Sequence, residues 1–504
     1  MLKFFLVLKS KFFANPNRVW EILPGSITWL TFILAIVFSI WLPIWAIYFI
    51  IVFDLFWLLK VFYLVINQVT SWFIFKKQVK INWLEKLKGV TAKNWQDYYH
   101  VIFLPTYKEP FEVIERTFIS LAKAVYEPQK FIVVLAGEER DQENFLSFAD
   151  KIIEKYSGLF LKILVTVHPK DLPGEIQGKA SNINYAGHKV QEIIDQLNIP
   201  YENVIVSSFD IDTCPHPQYF SYLAYKYLTH PKPTRVSYQP IAIYHNNIWQ
   251  SDPLTRVVAN STTFWLMTDL ARSDRLFTFS SHSMSFRALV DVGFWEKDIV
   301  SEDSRIFLQC LLKYDGDYQV EPMYIPVSMN TVSTGKFWKA MSDQYKQMRR
   351  WAWGVEHIPY MMKRFKDHPK MPFKLKFKHF FNQMEGMWSW ATAPILITVM
   401  GRLPLLMAPK GIQSTAIAQM APLILEKIMT FALVGLALNA ILSTILMPER
   451  PKGNKWYTKL VMLLEWVLFP VTMIVFGSIP ATEAQTRLML GGKYRLGFWV
   501  TEKK

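Results

Sequence analysis

The stretch that decides the fold is Val204–Thr213, which reads Val-Ile-Val-Ser-Ser-Phe-Asp-Ile-Asp-Thr. The β-branched run at its start predicts a strand buried on both faces of a parallel sheet, and Pro215 and Pro217 prevent that strand from continuing. Asp210 and Asp212 follow the strand, and two carboxylates at this spacing in an extended chain point the same way. Since open α/β sheets bind ligands at the carboxyl ends of their strands, the pair predicts a site for Mg²⁺ or Mn²⁺. A turn with a helix cap is the competing interpretation.

The composition indicates a membrane protein with two or three domains in its 504 residues. Hydrophobic residues make up 51% and charged residues 19%, and the charge deficit is concentrated in a few apolar blocks. The net charge of +15 suits contact with anionic headgroups and with a nucleotide diphosphate. No nucleic-acid motif accompanies it, so we expect no nucleic-acid partner. Cys214 and Cys310 have neither metal-ligand spacing nor a disulfide pattern, and we expect the domain that holds them to be cytosolic.

The apolar blocks divide the chain into six predicted segments. These are a basic cytosolic N-terminus at 1–25, two transmembrane helices in 26–75 (Ser26–Leu42 and Pro43–Ile66), an α/β domain at 94–330, interfacial amphipathic helices at 331–379 that include Lys363–Lys378, a C-terminal transmembrane region at 380–480, and a cytosolic tail at 481–504. Positive charge flanks both ends of the first helix pair, so we expect both ends in the cytoplasm.

The number of C-terminal crossings has two possible interpretations. Three apolar blocks, about Phe380–Met407, Met420–Leu446 and Lys459–Ile479, would leave the basic tail outside if each crossed once. The positive-inside rule places that tail in the cytoplasm. Either the first block, which Arg402 and Pro404 interrupt, lies in the membrane plane or is re-entrant, or one block crosses twice.

The 94–330 segment alternates strand-like and helical runs, which predicts a mainly parallel sheet with helices on both faces. The predicted strands are Val101–Leu104, Phe131–Leu135, Leu161–Val167 and Val204–Val206, and the predicted helices between them are Glu109–Ala124, Gln142–Tyr156 and Ser181–Leu197.

Two polar clusters follow these strands. Thr106, Tyr107 and Glu109 come after the first strand, where a nucleotide base and ribose fit. Lys179 precedes a predicted helix, so that a cation and a helix N-terminus together favour a phosphate. Turns and an N-cap are the structural alternatives for both clusters.

Two further motifs occur downstream. Ser301-Glu302-Asp303 opens a helical stretch, Ser304–Lys313, where acids ordinarily stabilise a helix N-terminus. Asp303 is also placed to take a proton from an acceptor hydroxyl as a general base. In the segment from Gln347 to Gly354, Arg350 is a candidate to brace a diphosphate leaving group and Trp351 to stack on a sugar ring. The alternative for this segment is an amphipathic surface helix.

In this order, Asp210-Ile211-Asp212, Ser301-Glu302-Asp303 and Gln347-Met348-Arg349-Arg350-Trp351 resemble the motifs of membrane-integrated family 2 glycosyltransferases of the cellulose synthase-like and hyaluronan- or chitin-synthase-like type. The segments Pro105–Glu109 and Gly178–Asn184 are similar to two further motifs of that family, as is Ser283–Arg287 with Gly293 and Phe294. The tail Phe498–Lys503 is similar to a gating loop that closes over the nucleotide.

The resemblance implies a GT-A domain between N- and C-terminal transmembrane helices, an inverting transfer from a UDP-sugar, and a β-linked product on a growing polysaccharide. It implies Asp303 as the base and Asp210 and Asp212 as ligands of Mg²⁺ or Mn²⁺. The residues it implies for substrate binding are Thr106, Tyr107, Glu109, Lys179, Asp210, Glu302, Gln347, Arg350, Trp351, Thr501 and Lys503. The expected location is a bacterial-type inner or plasma membrane, with the polymer passing between the enzyme's own helices if it is processive.

The sequence departs from the family after its second strand, where the family carries an acidic turn that reads the base. Here Glu138 or Glu139 is the candidate substitute. Two other functions stay open: a non-processive transferase that glycosylates a lipid, and a membrane scaffold for polysaccharide export with an inactive transferase domain. Intact acids at all three motif positions count against the scaffold.

Overall fold

The structure is a computed structural model that describes residues 17–91, 93–453 and 455–497. The gating-loop-like motif Phe498–Lys503, with Thr501 and Lys503, lies outside the described residues. The role expected for these two side chains therefore remains a prediction from the sequence.

The described chain forms two units, and the sheet belongs to the second of them. The first unit contains residues 17–66 and 344–496. The second contains residues 67–343 together with Gly497.

Among the described residues, eight strands form one mixed sheet. They are β1 Tyr99–Pro105, β2 Phe131–Glu138, β3 Lys162–His168, β4 Val204–Ser208, β5 Cys214–Pro215, β6 Val236–Ile243, β7 Ser283–Ser285 and β8 Gln319–Ser328. The strand order is β3-β2-β1-β4-β7-β6-β8-β5. Strands β3, β2, β1 and β4 run parallel, as do β6 and β8, whereas β7 runs antiparallel to β4 and β6, and β5 antiparallel to β8. The prediction of a mainly parallel α/β sheet is confirmed.

Strands β1, β2 and β4 form because most of their residues are apolar and buried on both faces. Every residue of β2 and β4 is buried, and in β1 the five central residues are buried. Such runs suit strands that are covered by helices on both sides, since no face of the strand meets water. The predicted strands were therefore found: β1, β2 and β4 are two or three residues longer than the apolar run alone indicated, and β3 is shifted by one residue.

The described residues also form helices, which are numbered in chain order. They are α1 Arg18–Trp41, α2 Pro43–Gln78, α3 Trp83–Lys88, α4 Phe111–Ala122, α5 Gln142–Tyr156, α6 Lys179–Gln196, α7 Tyr219–Thr229, α8 Pro253–Leu270, α9 Phe286–Asp291, α10 Glu302–Lys313, α11 Phe337–Ala352, α12 His357–Arg364, α13 Phe373–Thr398, α14 Leu403–Met407, α15 Lys410–Gln413, α16 Ala416–Leu446, α17 Thr458–Leu464, α18 Phe469–Thr472 and α19 Ile479–Leu490. Helix α5 begins and ends as its hydrophobic periodicity predicts.

Four helices of the described chain are long and apolar enough to span a membrane. They are Arg18–Trp41, Pro43–Gln78, Ala416–Leu446 and Thr458–Leu490. A fifth candidate is the pair Phe373–Thr398 and Met400–Met407, which is bent by 51° and is either a broken span or a re-entrant loop. The bend is compatible with the predicted re-entrant first block. The alternative of a block that crosses twice and the orientation of the catalytic unit stay predictions.

The prediction of a single amphipathic helix at Lys363–Lys378 is wrong. Helix α12 ends at Arg364, and α13 begins only at Phe373. Pro372 lies directly before the new helix, and a proline disfavours helical geometry at the residue that precedes it.

Candidate active site

The site is assembled where neighbouring parallel strands end. Strand β1 lies between β2 and β4, so Pro105, Glu138 and Ser208 end at the same edge of the sheet. The chain leaves β4 towards Asp210 at that edge. The carboxyl edge of a parallel sheet is where such folds bind ligands.

The chain turns immediately after β4 instead of continuing in extended form. The N–H of Thr213 donates to the carbonyl of Asp210 at 2.9 Å, which closes a four-residue turn around Ile211. The expectation that Asp210 and Asp212 point the same way along an extended segment is therefore wrong, because side-chain alternation holds only in a strand.

The two aspartates consequently have different surroundings. Asp212 is fully buried, and its Oδ2 accepts a hydrogen bond from the backbone N–H of Asn330 at 2.8 Å. The Asp210 side chain is 25% exposed, and its Oδ2 accepts from the Ser280 hydroxyl at 2.8 Å. Asp210 is thus the member of the pair that is open to a ligand.

Lys179 is the centre of the site. Its ammonium nitrogen lies 2.8 Å from Asp210 Oδ1, 2.9 and 3.0 Å from the two oxygens of Asp303, and 3.6 Å from Glu302 Oε1. The lysine side chain is only 8% exposed. Three acids from two segments that are far apart in the sequence therefore share one buried cation.

Two features of the chain place Lys179 and Asp303 together. Lys179 is the first residue of α6 and follows Gly178, whose φ of 149° is readily adopted only by glycine. Asp303 lies in the first turn of α10. The helix starts bring both side chains to the sheet edge, and the acids of α10 also favour its N-terminus electrostatically.

The charges of the cluster determine the protonation of Lys179. Burial by itself lowers the pKa of the ammonium, but the carboxylates of Asp210, Asp303 and Glu302 outweigh that effect and raise the pKa above its usual value. Lys179 is therefore positively charged throughout the physiological pH range.

His282 lies beside the acids and was not identified from the sequence. The ring is fully buried, with Nδ1 3.1 Å from the Phe279 carbonyl and 3.8 Å from Asp303 Oδ1. Burial lowers the pKa of His282. The negative charge of Asp303 raises that pKa, but only partly offsets the effect of burial. The segment from Ser283 to Arg287 was singled out by its motif, but nothing in the sequence showed that the residues just before it reach the acids.

The predicted base and ribose region has its own internal contacts. The Glu109 carboxylate accepts hydrogen bonds from the Thr106 hydroxyl at 2.9 Å and from the Tyr107 N–H. The Arg140 guanidinium lies 4.5 Å from the Tyr107 ring centroid and donates to the buried Glu138 carboxylate. Glu109 therefore shapes the loop after β1, while Tyr107, Arg140 and Glu138 form a connected group at the ends of β1 and β2.

Three further predicted residues belong to the first unit. Gln347, Arg350 and Trp351 lie on α11, and Gln347 Oε1 accepts a hydrogen bond from the Gln344 side chain at 3.2 Å. Arg349, which lies between them, pairs with Glu483 at 2.6 Å. Lys179, Asp210, Glu302 and Asp303 are thus the predicted residues that the structure brings into one cluster.

A divalent cation fits part of this donor set. Asp210 and Asp303 are hard oxygen donors with side chains 25% and 22% exposed, and Mg²⁺ is often held by one or two carboxylates together with substrate phosphates. The fully buried Asp212 fits less well. Among the described residues, no three histidine, cysteine or acidic side chains are placed to hold a metal by themselves.

Comparisons with known proteins identify a domain family. A family model described as "Glycosyl transferase family group 2" matches residues 205–476. The solved structures that are similar include a mannosyltransferase from Pyrobaculum calidifontis in complex with GDP-Man and Mn²⁺, with 16% identity, a TM-score of 0.44, and coverage of 81% of this chain and 99% of that chain. A TarS fragment from S. aureus in complex with UDP-GlcNAc has 14% identity and a TM-score of 0.36, with coverage of 69% and 91%. Among curated proteins there is no match.

Proposed function

We propose that this chain, which belongs to glycosyl transferase family group 2, transfers a sugar from a nucleotide sugar to a hydroxyl of a growing polysaccharide and inverts the anomeric centre. The observation that carries the proposal is the buried Lys179 ammonium among Asp210, Glu302 and Asp303 at the carboxyl edge of the sheet. A cation and acids in one place suit a reaction that forms an anionic leaving group and releases a proton.

Asp303 is the proposed general base. Its carboxylate takes the proton of the acceptor hydroxyl, the acceptor oxygen forms a bond to the anomeric carbon, and the bond from that carbon to the diphosphate oxygen breaks. The nucleoside diphosphate leaves with the electron pair of the broken bond. An in-line attack of this kind inverts the configuration at the anomeric carbon.

Lys179 has two proposed roles, one towards the general base and one towards the leaving group. Its ammonium lies within hydrogen-bond distance of both Asp303 oxygens. A diphosphate that enters the site competes for the same ammonium, which frees Asp303 for the acceptor hydroxyl. The lysine then stabilises the negative charge that develops on the leaving group.

Asp210 is the proposed ligand for Mg²⁺ or Mn²⁺, with Asp212 as the second ligand expected from the motif. A divalent cation supplies charge neutralisation at the diphosphate. The two aspartates contribute unequally in this proposal: Asp210 is accessible, whereas Asp212 holds the Asn330 segment through the backbone.

The donor is proposed to be a UDP-sugar whose base and ribose lie beside Thr106, Tyr107 and Glu109. Tyr107 offers an aromatic face, and Arg140 covers it at 4.5 Å. The buried Glu138 is the better candidate for the acid that reads the base. The Glu139 carboxylate lies on the surface, where it accepts a hydrogen bond from the backbone N–H of Lys170.

The acceptor is proposed to lie beside α11, with Trp351 on a sugar ring, Arg350 near the leaving group and Gln347 beside them. Thr501 and Lys503 would close over the nucleotide. We place the catalytic unit on the cytosolic side of a bacterial-type inner or plasma membrane, because basic residues flank the apolar spans. The similarity of the tail to the gating loop supports the cellulose synthase-like processive type in this proposal.

A donor screen on membranes that carry the protein tests the proposal. Radiolabelled UDP-glucose, UDP-N-acetylglucosamine, UDP-galactose and GDP-mannose are supplied with Mg²⁺ or Mn²⁺, and products are separated by solvent extraction and gel filtration. We expect label from one UDP-sugar in a large, lipid-insoluble product. Label in the organic phase would favour the lipid transferase, and no incorporation from any donor would favour the inactive scaffold.

A further inference from the structure

One carboxylate connects the helix that carries the Gln347–Trp351 motif to the last apolar helix of the chain. Glu483 lies on α19, which is the C-terminal part of the candidate span Thr458–Leu490. Tyr345 and Arg349 lie on α11, and all three residues belong to the same unit.

Glu483 is bonded through both of its oxygens. Oε2 accepts from the Tyr345 hydroxyl at 2.6 Å, and Oε1 accepts from Arg349 Nη1 at 2.6 Å and from Arg487 Nε at 2.6 Å. The side chains of Glu483 and Arg349 are 25% and 20% exposed. Charge-assisted hydrogen bonds of this length are stronger than neutral ones, and partial burial limits their screening by water.

The α19 helix is itself held by neighbouring spans. Gln485 accepts a hydrogen bond from the Thr28 hydroxyl of α1 at 2.7 Å and donates to the Met387 carbonyl of α13 at 2.8 Å. Glu483 therefore projects from a helix that is hydrogen-bonded to both α1 and α13. Its contacts with α11 are made from a helix whose position is itself restrained.

We propose that Glu483 is a positioning residue that fixes how α11 is rotated about its axis and how far it lies along that axis. It thereby sets the directions of Arg350 and Trp351. Successive residues of an α-helix are about 100° apart around the axis, so holding Arg349 against α19 also sets where Arg350 points. Tyr345 lies one turn before Arg349 on the same face, and the two contacts together resist rotation of the helix. The inference rests on the proposed function of Arg350 and Trp351.

Glu483→Gln tests the inference because it removes the charge that two arginines share while it keeps the size of the side chain. The matched control is Glu426→Gln on α16, whose carboxylate forms no hydrogen bond or ion pair among the described residues. Both are measured as full-length protein in lipid nanodiscs, with rates expressed per folded molecule. We expect Glu483→Gln to lower kcat at least 10-fold and to raise the acceptor KM several-fold, with donor affinity within 2-fold and Glu426→Gln unchanged.

A double-mutant cycle with Arg350→Ala shows whether Glu483 acts through the motif. If it does, the double variant has about the same kcat as Arg350→Ala alone. Losses that multiply, or a Glu483→Gln enzyme with wild-type kcat and acceptor KM, would overturn the inference.

Hydrogen exchange of α11 separates this inference from the proposed function, since it requires no transfer activity. We expect Glu483→Gln to speed amide exchange in Phe337–Ala352 relative to Glu426→Gln. If Glu483→Gln speeds exchange but the wild-type protein transfers no sugar, the proposed function is contradicted and the anchoring role is supported. Unchanged exchange would refute the anchoring role even in an active enzyme.

Discussion

Lys179 is surrounded by three carboxylates in a largely buried position, and each of these groups depends on the others. The sequence identified the lysine and the acids separately and assigned the lysine to a phosphate. It did not indicate that the lysine donates hydrogen bonds to the acids, since Asp210 and Asp303 are 31 and 124 positions away along the chain. Contacts between residues so far apart in the sequence depend on how the sheet is assembled, so a local sequence pattern does not predict them.

Replacing Lys179 by methionine should destabilise the protein. The change leaves Asp210, Glu302 and Asp303 without their shared cation, and breaking a buried ion pair costs about 3–5 kcal/mol of unfolding free energy. Thermal unfolding should show a clear decrease in Tm, whereas Lys170→Met, which removes a surface cation 3.6 Å from Glu139, should shift it little. Equal Tm values for the two variants would show that the cluster is not stabilised by Lys179.

His100 gives the second unit a stability that depends on pH. Both ring nitrogens are buried without a hydrogen-bond partner in the described residues, and burial lowers the pKa of His100 to about 3. The unfolded chain binds a proton at this histidine below pH 6.5 and the folded chain does not, so stability falls as the pH decreases. Between pH 7 and pH 5 the protonation of this histidine in the unfolded chain lowers the free energy of unfolding by about 2 kcal/mol.

His100→Phe should therefore reduce the difference in Tm between pH 7 and pH 5. The exposed His188 provides the control, and His188→Asn should leave that difference as in the wild type. A His100→Phe protein that loses as much stability at pH 5 as the wild type would contradict the assignment.

At the scale of elements, the apolar runs predicted strands β1 to β4, because strands buried on both faces need few polar residues. The turn after β4 was one of two interpretations that the sequence left open, because the residue types of Asp210–Thr213 fit both an extended segment and a turn. Its conformation depends on tertiary bonds, such as that between Asp212 and the N–H of Asn330.

The packing of α6 against the segment before Asp303 depends on a glycine. A Cβ on Gly187 would lie 2.5 Å from Cδ1 of Phe294, whose own backbone φ is 65°. Gly187→Ala should therefore cost about 1–3 kcal/mol of stability by overpacking and should lower transfer by moving the Asp303 segment. Gly158→Ala adds the same methyl group where no atom lies within 4 Å, and it should change neither quantity. Similar chemical denaturation midpoints for both variants would contradict this packing role.

At the scale of the whole molecule, composition predicted a membrane protein, and the described residues contain four helices long enough to span a bilayer. The number of C-terminal crossings could not be predicted, because Arg402 and Pro404 interrupt an apolar block without deciding whether it spans. The structure has a 51° bend there, which fits either a broken span or a re-entrant loop.

The proposed orientation has a direct test by protease protection. Trypsin should cleave the catalytic unit in inverted membrane vesicles and leave it intact in right-side-out vesicles, because the basic flanks place that unit in the cytoplasm. A protein with its termini tagged allows the fragments to be assigned. Cleavage of the catalytic unit from the outer side would overturn the orientation.

The most direct test of the central claim is single-turnover sugar transfer by the Asp303→Asn enzyme, with the exposed Asp298→Asn as control. Both are measured with the donor that the wild type uses, and nucleotide affinity is determined on the same samples. If Asp303 is the base, Asp303→Asn lowers the transfer rate at least 100-fold, nucleotide affinity stays within about 3-fold, and Asp298→Asn behaves as the wild type. Transfer by Asp303→Asn at the wild-type rate would contradict the claim and place the base elsewhere.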